Sequence, residues 1–175
     1  MGIINKPTLY SYFSTRRILS TSAFSDIISR DRFQFICKFL HFNDKNMKRQ
    51  YNGPAKLFKI FPGIQHLNNR FQSFFYPDQD ISINESLTLW KGRLSFKMYI
   101  PLKASKFGIK IYELCEAKSG YLWSFFVYTG NGTQMVSPLI TADTNKTTSV
   151  VLHLFELLLH HGWIITIILH TLQNY

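Results

Sequence analysis

Asp80-Ile81-Ser82-Ile83-Asn84-Glu85-Ser86-Leu87-Thr88-Leu89 is where the chain changes its period. Ile81, Ile83, Leu87 and Leu89 alternate with Ser82, Asn84, Ser86 and Thr88, the pattern of a half-buried strand. Glu85 falls on the apolar side of that alternation. A charge there needs a partner or a place at the strand's wet end, because an unpaired buried charge is costly.

Upstream of this stretch the spacing is helical. Ser29 can cap a helix beginning at Arg30-Asp31-Arg32, with acid in its first turn. Phe33, Ile36, Cys37 and Leu40 then recur on one side, widened by Phe39 and Phe42, before the polar break Asn43-Asp44-Lys45-Asn46. Tyr51-Asn52-Gly53-Pro54 marks a turn. A second helix is expected from near Ala55, with the stripe Leu57, Ile60, Ile64, Leu67 and Phe71. Pro62-Gly63 is expected to divide or kink it.

Downstream, Phe107 to Glu116 and Tyr121 to Tyr128 read as strands joined by a short connection at Lys118-Ser119-Gly120. Gly130-Asn131-Gly132 ends the second of these. Pro138 to Thr148 is a polar connection. A helix is expected from a cap at Thr148 or Ser149, through Val150, Val151, Leu154, Leu157 and Leu158, to a stop at Gly162. Ile164 to Leu169 would form a further strand. Helices, three strands, a helix and a strand follow the order in which a ribonuclease-H-like α/β domain begins. The expected fold class is α/β, an N-terminal helical region over 1–78 packed on an incomplete ribonuclease-H-like mixed sheet over 79–175.

Among the 175 residues, 46% are hydrophobic and 16% aromatic, which excludes a disordered tail or low-complexity linker. Twenty Lys and Arg against ten Asp and Glu leave a net charge of +10, which favours a polyanionic partner, nucleic acid first. Cys37 and Cys115 form no CxxC pair, so no zinc ribbon is encoded, and both are expected as buried thiols in a reducing compartment. The start shows no secretory h-region. The longest apolar run, Trp163 to Leu169, is too short to span a bilayer, so no membrane partner is expected.

The densest local feature is basic. Lys91, Arg93, Lys97, Lys103, Lys106 and Lys110 are six cations in twenty positions with no acid among them, interleaved with Phe96, Tyr99 and Phe107. Cations of this kind neutralise phosphates and rings can stack on bases. The same pattern also suits a solvated loop whose aromatics anchor it to the core. His153, His160 and His161 lie toward a helix end, where the helix dipole accounts for them better than a metal, which would need more ligands at convergent positions.

Asp80 to Leu87, followed by Trp90-Lys91-Gly92-Arg93-Leu94-Ser95-Phe96-Lys97-Met98-Tyr99-Ile100-Pro101-Leu102-Lys103-Ala104-Ser105-Lys106-Phe107-Gly108-Ile109-Lys110, resembles the centre of a piggyBac-type transposase. Ser29-Arg30-Asp31-Arg32-Phe33, Leu40-His41-Phe42-Asn43-Asp44, Cys115-Glu116 and Tyr121-Leu122-Trp123 extend the resemblance to about Trp163. It implies a cut-and-paste DNA transposase acting in the nucleus, whose ribonuclease-H-like core holds two Mg²⁺ ions on three carboxylates.

The departures from that pattern concern the carboxylates. Asn84 stands where the resemblance places the first catalytic Asp, and an amide offers a neutral oxygen without charge. Glu85 points to the opposite face, and Asp80 shares Asn84's face but lies about 13 Å back along a strand. No Asp or Glu follows Glu156. The expectation is therefore a truncated transposase-derived protein without catalytic residues, metal ligands or cofactor. It would bind DNA without sequence preference through Lys91, Arg93, Lys97, Lys103, Lys106 and Lys110. The alternatives are residual metal-dependent strand cleavage, or a relic without function. Self-association is expected through an exposed C-terminal strand at Ile164 to Leu169.

Overall fold

The computed structural model describes residues 4–101, 106–159 and 164–168. The chain divides into two compact units, Met1–His41 and Phe42–Tyr175. Residues 42–78 thus belong with the sheet, not with the first helices.

In the first unit a 3-10 turn, Leu9–Phe13, is opened by Thr8, whose Oγ1 accepts from the Ser11 amide at 3.2 Å. Helix α1 (Ser22–Ile27) follows, then α2 (Arg30–Phe39). Ser29 caps α2 as its sequence implies, its Oγ accepting from the Arg32 amide at 3.3 Å. Tyr12 packs edge-on against Phe24 at 5.0 Å, and Phe13 lies 5.3 Å from Phe33. Those two rings are the unit's buried apolar residues, and none of α2's own residues is buried. Cys37 is accordingly exposed, which corrects its expected burial. The helical stripe is present, but so small a unit supplies too little surface to cover it.

The second unit begins with the 3-10 turns Lys45–Gln50 and Ala55–Leu57, then helix α3 (Phe61–Phe74). The helix expected from near Ala55 is divided here: Ala55–Leu57 forms a 3-10 turn, and α3 starts at Phe61 with Pro62 in its first turn. Proline is tolerated there because the first amides of a helix have no intrahelical acceptor. Asn68 fastens α3 to the sheet. Its Nδ2 donates to the Phe125 carbonyl at 2.8 Å, and its Oδ1 accepts from the Phe125 amide at 3.0 Å. Tyr121 Oη and Trp123 Nε1 donate to the carbonyls of Phe71 and Phe75, both at 3.0 Å.

The sheet contains β1 (Asp80–Leu89), β2 (Met98–Tyr99), β3 (Phe107–Glu116), β4 (Leu122–Val127) and β5 (Ile164–Ile168). Its order is β2-β3-β1-β5, with β4 also paired to β3. β1, β2 and β4 run antiparallel to the strand β3 they meet, while β5 runs parallel to β1. The β3–β4 hairpin turns at Gly120, which holds a φ of +70° that a side chain would disfavour. The Ser119 amide donates to a Glu116 carboxylate oxygen at 2.6 Å, closing the turn.

Helix α4 (Lys146–Phe155) and the 3-10 turn Glu156–Leu158 connect β4 to β5. The cap of α4 is Asn145, whose Oδ1 accepts from the Thr148 amide at 2.8 Å, rather than Thr148 or Ser149. Ser149 instead lies inside the helix, its hydroxyl donating to the Asn145 carbonyl at 3.0 Å. Gly162, the expected stop, lies outside the described residues, as do His160, His161, Trp163 and Leu169.

The main core lies between one sheet face and α4: Ile81, Ile83, Tyr112, Leu114 and Trp123 meet Val150, Leu154, Phe155 and Leu158. Leu57, Phe96 and Val127 form a smaller cluster, with Phe61, Ile64, Ile109 and Ile111 packed on it. Mixed pairing, the α4 crossover and helices on the sheet make this an α/β, ribonuclease-H-like fold.

Candidate nucleic-acid interface

The basic segment begins where β1 runs out of cover. Burial along β1 falls from fully buried Ile81, Ile83 and Glu85 to exposed Thr88 and Leu89. The chain then turns through Trp90–Lys97 and returns as β2, which adds two residues to β3. Gly108 permits this close assembly. A Cβ on it would stand 2.5 Å from the Thr88 carbonyl oxygen, well inside contact distance.

Lys91 and Arg93 are exposed in the turn, and Lys106 is exposed just before β3. Lys97 is half-buried, its Nζ 5.4 Å from the centre of the Phe107 ring, within cation–π range. None of these four has an ion-pair partner among the described residues. Lys103 lies outside the described residues.

Lys110 requires a correction. It is buried, with its Nζ 2.9 Å from a Glu85 carboxylate oxygen that is itself wholly shielded from solvent. It is not placed to meet a phosphate. Burial pulls its pKa down, but the Glu85 carboxylate against it outweighs that, with a smaller contribution from Tyr112, leaving it raised above the usual lysine value. Glu85 thus has the partner its position demanded. The sequence carried the signal. Lys110 shares the β3 alternation with Tyr112 and Leu114, the core side.

The three interleaved aromatics divide between the two roles open to them. Phe96 is 7% exposed and anchors the turn in the smaller apolar cluster. Tyr99 and Phe107 are 54% and 50% exposed and face each other across β2 and β3, ring centres 4.7 Å apart. Trp90, not singled out in the sequence, adds a third exposed ring at the end of β1. A further set of cations, Lys45, Lys48 and Arg49, lines a hollow on the turn before α3. Their spacing was visible in the sequence beside the polar break.

Asn84 is half-buried on β1, opposite Glu113 of β3 and Ile168 of β5. Its Oδ1 accepts from the Glu85 amide at 2.8 Å. Glu113 Oε1 accepts from the Ser86 hydroxyl at 2.6 Å. Asn84 Oδ1 and one oxygen of Glu113 thus each accept a hydrogen bond within the sheet. No group of three His, Cys, Asp or Glu residues able to hold a metal occurs among the described residues. Among the described residues this position offers one neutral amide and one carboxylate, fewer charges than a pair of Mg²⁺ ions calls for. His153 is tied elsewhere, its Nδ1 within 3.1 Å of the Val136 amide and its ring edge-on to Phe126.

The mixed sheet with α3 and α4 on it is the arrangement of a ribonuclease-H-like fold. The model of the transposase IS4 family matches residues 1–170, and the chain belongs to this family, on its piggyBac-type branch. The human PiggyBac transposable element-derived protein 2 is 27% identical over 164 residues, covering 93% of this chain. A piggyBac transposase, solved in a synaptic complex with hairpin DNA, superposes with a TM-score of 0.68 at 26% identity over 87% of this chain. The chain spans 26% of the length of the human relative and 35% of the solved transposase chain.

Proposed function

We propose that this transposase-derived chain acts as a DNA-binding protein without strand-cleaving chemistry, in the nucleus, gripping phosphates through Lys91, Arg93, Lys97 and Lys106. The carrying observation is that these four cations alternate along the chain with two half-exposed rings and have no ion-pair partner among the described residues. The solved piggyBac complex with hairpin DNA supports DNA as the polyanion. Contacts to phosphates carry no sequence information, so binding through them is expected to be indifferent to sequence.

Each phosphate contact adds about 0.9 to the logarithmic salt slope on duplex DNA, so four contacts give roughly −3 to −4. Titrating a labelled duplex at several salt concentrations measures this. Replacing all four cations by Ala should bring the slope toward zero. An unchanged slope in that variant would move the DNA surface elsewhere, and no binding by the parent at low salt would end the proposal.

The absence of catalysis rests on Asn84, a neutral residue where the resemblance places a carboxylate. Neither the natural chain nor Asn84→Asp should nick DNA with Mg²⁺ or Mn²⁺, since one restored acid still leaves the ligand set incomplete. Metal-dependent product from the natural chain would overturn this.

A second property, self-association, is favoured by the place of β5 at the end of the strand order, paired to β1. Strand edges of this kind template pairing with another copy. Light scattering across a concentration series tests it; a mass that stays monomeric throughout would dismiss it.

A further inference from the structure

We infer that the surface made by Lys97, Tyr99, Lys106 and Phe107 takes single-stranded DNA in preference to duplex, with Tyr99 and Phe107 as the stacking platform for unpaired bases. This deepens the DNA-binding proposal and depends on it. Three rings occur in the basic segment, and their fates differ. Phe96 turns inward and is 7% exposed, so the segment has its anchor. Tyr99 and Phe107 serve no core, and about half of each remains in water.

The two rings are cross-strand neighbours, 4.7 Å between centres and tilted by 38°. They pack against one another at the sheet's end and leave about half of each ring in water. Lys97 Nζ stands 5.4 Å from the Phe107 centre, and Lys106 precedes Phe107 in the chain, exposed. A base laid on these rings brings its own phosphate within reach of both cations. Single strands present the faces of their bases, whereas a duplex hides them in its stack. Rings on a duplex would meet only sugar and phosphate, where they gain little. The bases contribute π-faces whatever their identity, so this preference is for strandedness and not for sequence.

The pair also steadies β2, so the test keeps apolar bulk. Tyr99→Leu and Phe107→Leu are prepared singly, and circular dichroism with thermal melting checks that each folds as the parent does. Three labelled probes of equal length are titrated at one salt concentration: an oligothymidine strand, the same strand without bases, and a duplex. The parent should prefer the oligothymidine strand to both others. Each Leu variant should lose about five- to tenfold on oligothymidine and little on the baseless strand. Equal affinity of the parent for the strands with and without bases would overturn the inference and leave phosphate binding intact. Losses of equal size on both strands would overturn it too, since they would show a general effect of β2. Failure of the parent to bind any probe would remove the DNA-binding proposal itself.

Discussion

Lys91 and Lys110 belong to one acid-free basic run and end in opposite environments. At the open end, Lys91, Arg93 and Lys106 stand in water, as does about half of Tyr99 and of Phe107, the ring that follows Lys106 in the chain. At the closed end, Lys110 reaches under the sheet to Glu85, with Tyr112 and Tyr128 within 5.8 Å of its ammonium. The chemistry of the side chain is the same in both places. Position on a pleated strand decides whether a lysine is a ligand-binding group or a structural one.

The sharpest way to break the comparison is at its closed end. Lys110→Ala leaves the Glu85 carboxylate buried without its cation and should cost about 3–5 kcal/mol. The double variant Lys110→Met with Glu85→Leu should be near neutral, or more stable by about 1–4 kcal/mol, because two charges no longer need desolvation. Urea unfolding of the three proteins decides this. If the single variant were as stable as the parent, the pair would be dispensable.

The same pair sets a pH limit. The folded Lys110 pKa lies above the ordinary 10.5, so its contribution is fully present below that value and lost as pH rises through the folded one. Stability should fall on the alkaline side in the parent, with no corresponding step in the double variant.

A smaller loss is expected where the two ends meet. Gly108→Ala places a methyl 2.5 Å from the Thr88 carbonyl, and backbone cannot yield as a side-chain tip would. The cost should be about 1–3 kcal/mol, with DNA affinity falling as β2 loosens. A variant with unchanged melting would show that β1 and β3 can part here.

Much of this fold was legible in the sequence because alternation and turn chemistry are local. The bounds Phe107–Glu116 of β3 were readable in full, and the Gly120 turn, the Ser29 cap and the demand of Glu85 for a partner were all visible. What was not legible depended on competition or on tertiary contact. Asn145, Thr148 and Ser149 can each cap a helix, and only the observed hydrogen bonds choose Asn145. Pro62 reads as a breaker until the helix is seen to start beside it. The two residues of β2 are too few to show a period. For the site, charge alone groups Lys110 with Lys91, Arg93, Lys97 and Lys106, whereas the alternation of β3 puts it on the core side with Tyr112 and Leu114. Cys37 and Cys115 differ likewise. Cys115 lies half-buried on β3, its thiol pushed up to about 11 by burial and then by Glu113, while Cys37 sits on a helix with nothing over it.

The smallest expected effect on stability sharpens the comparison from the open end. Lys91→Ala and Arg93→Ala remove two exposed cations that make no ion pair among the described residues. Surface changes of this kind stay within about 0.5 kcal/mol. Urea midpoints of the double variant should therefore match the parent's, while its DNA salt slope becomes shallower by about 1.8, the share of two phosphate contacts. Lys110→Ala should show the reverse pattern at moderate temperature, a large fall in stability with the slope of the folded fraction unchanged. The two variants thus separate the roles that one basic run contains. A stability loss of several kcal/mol on removing Lys91 and Arg93 would mean that the turn after β1 is held by its cations and not by Phe96.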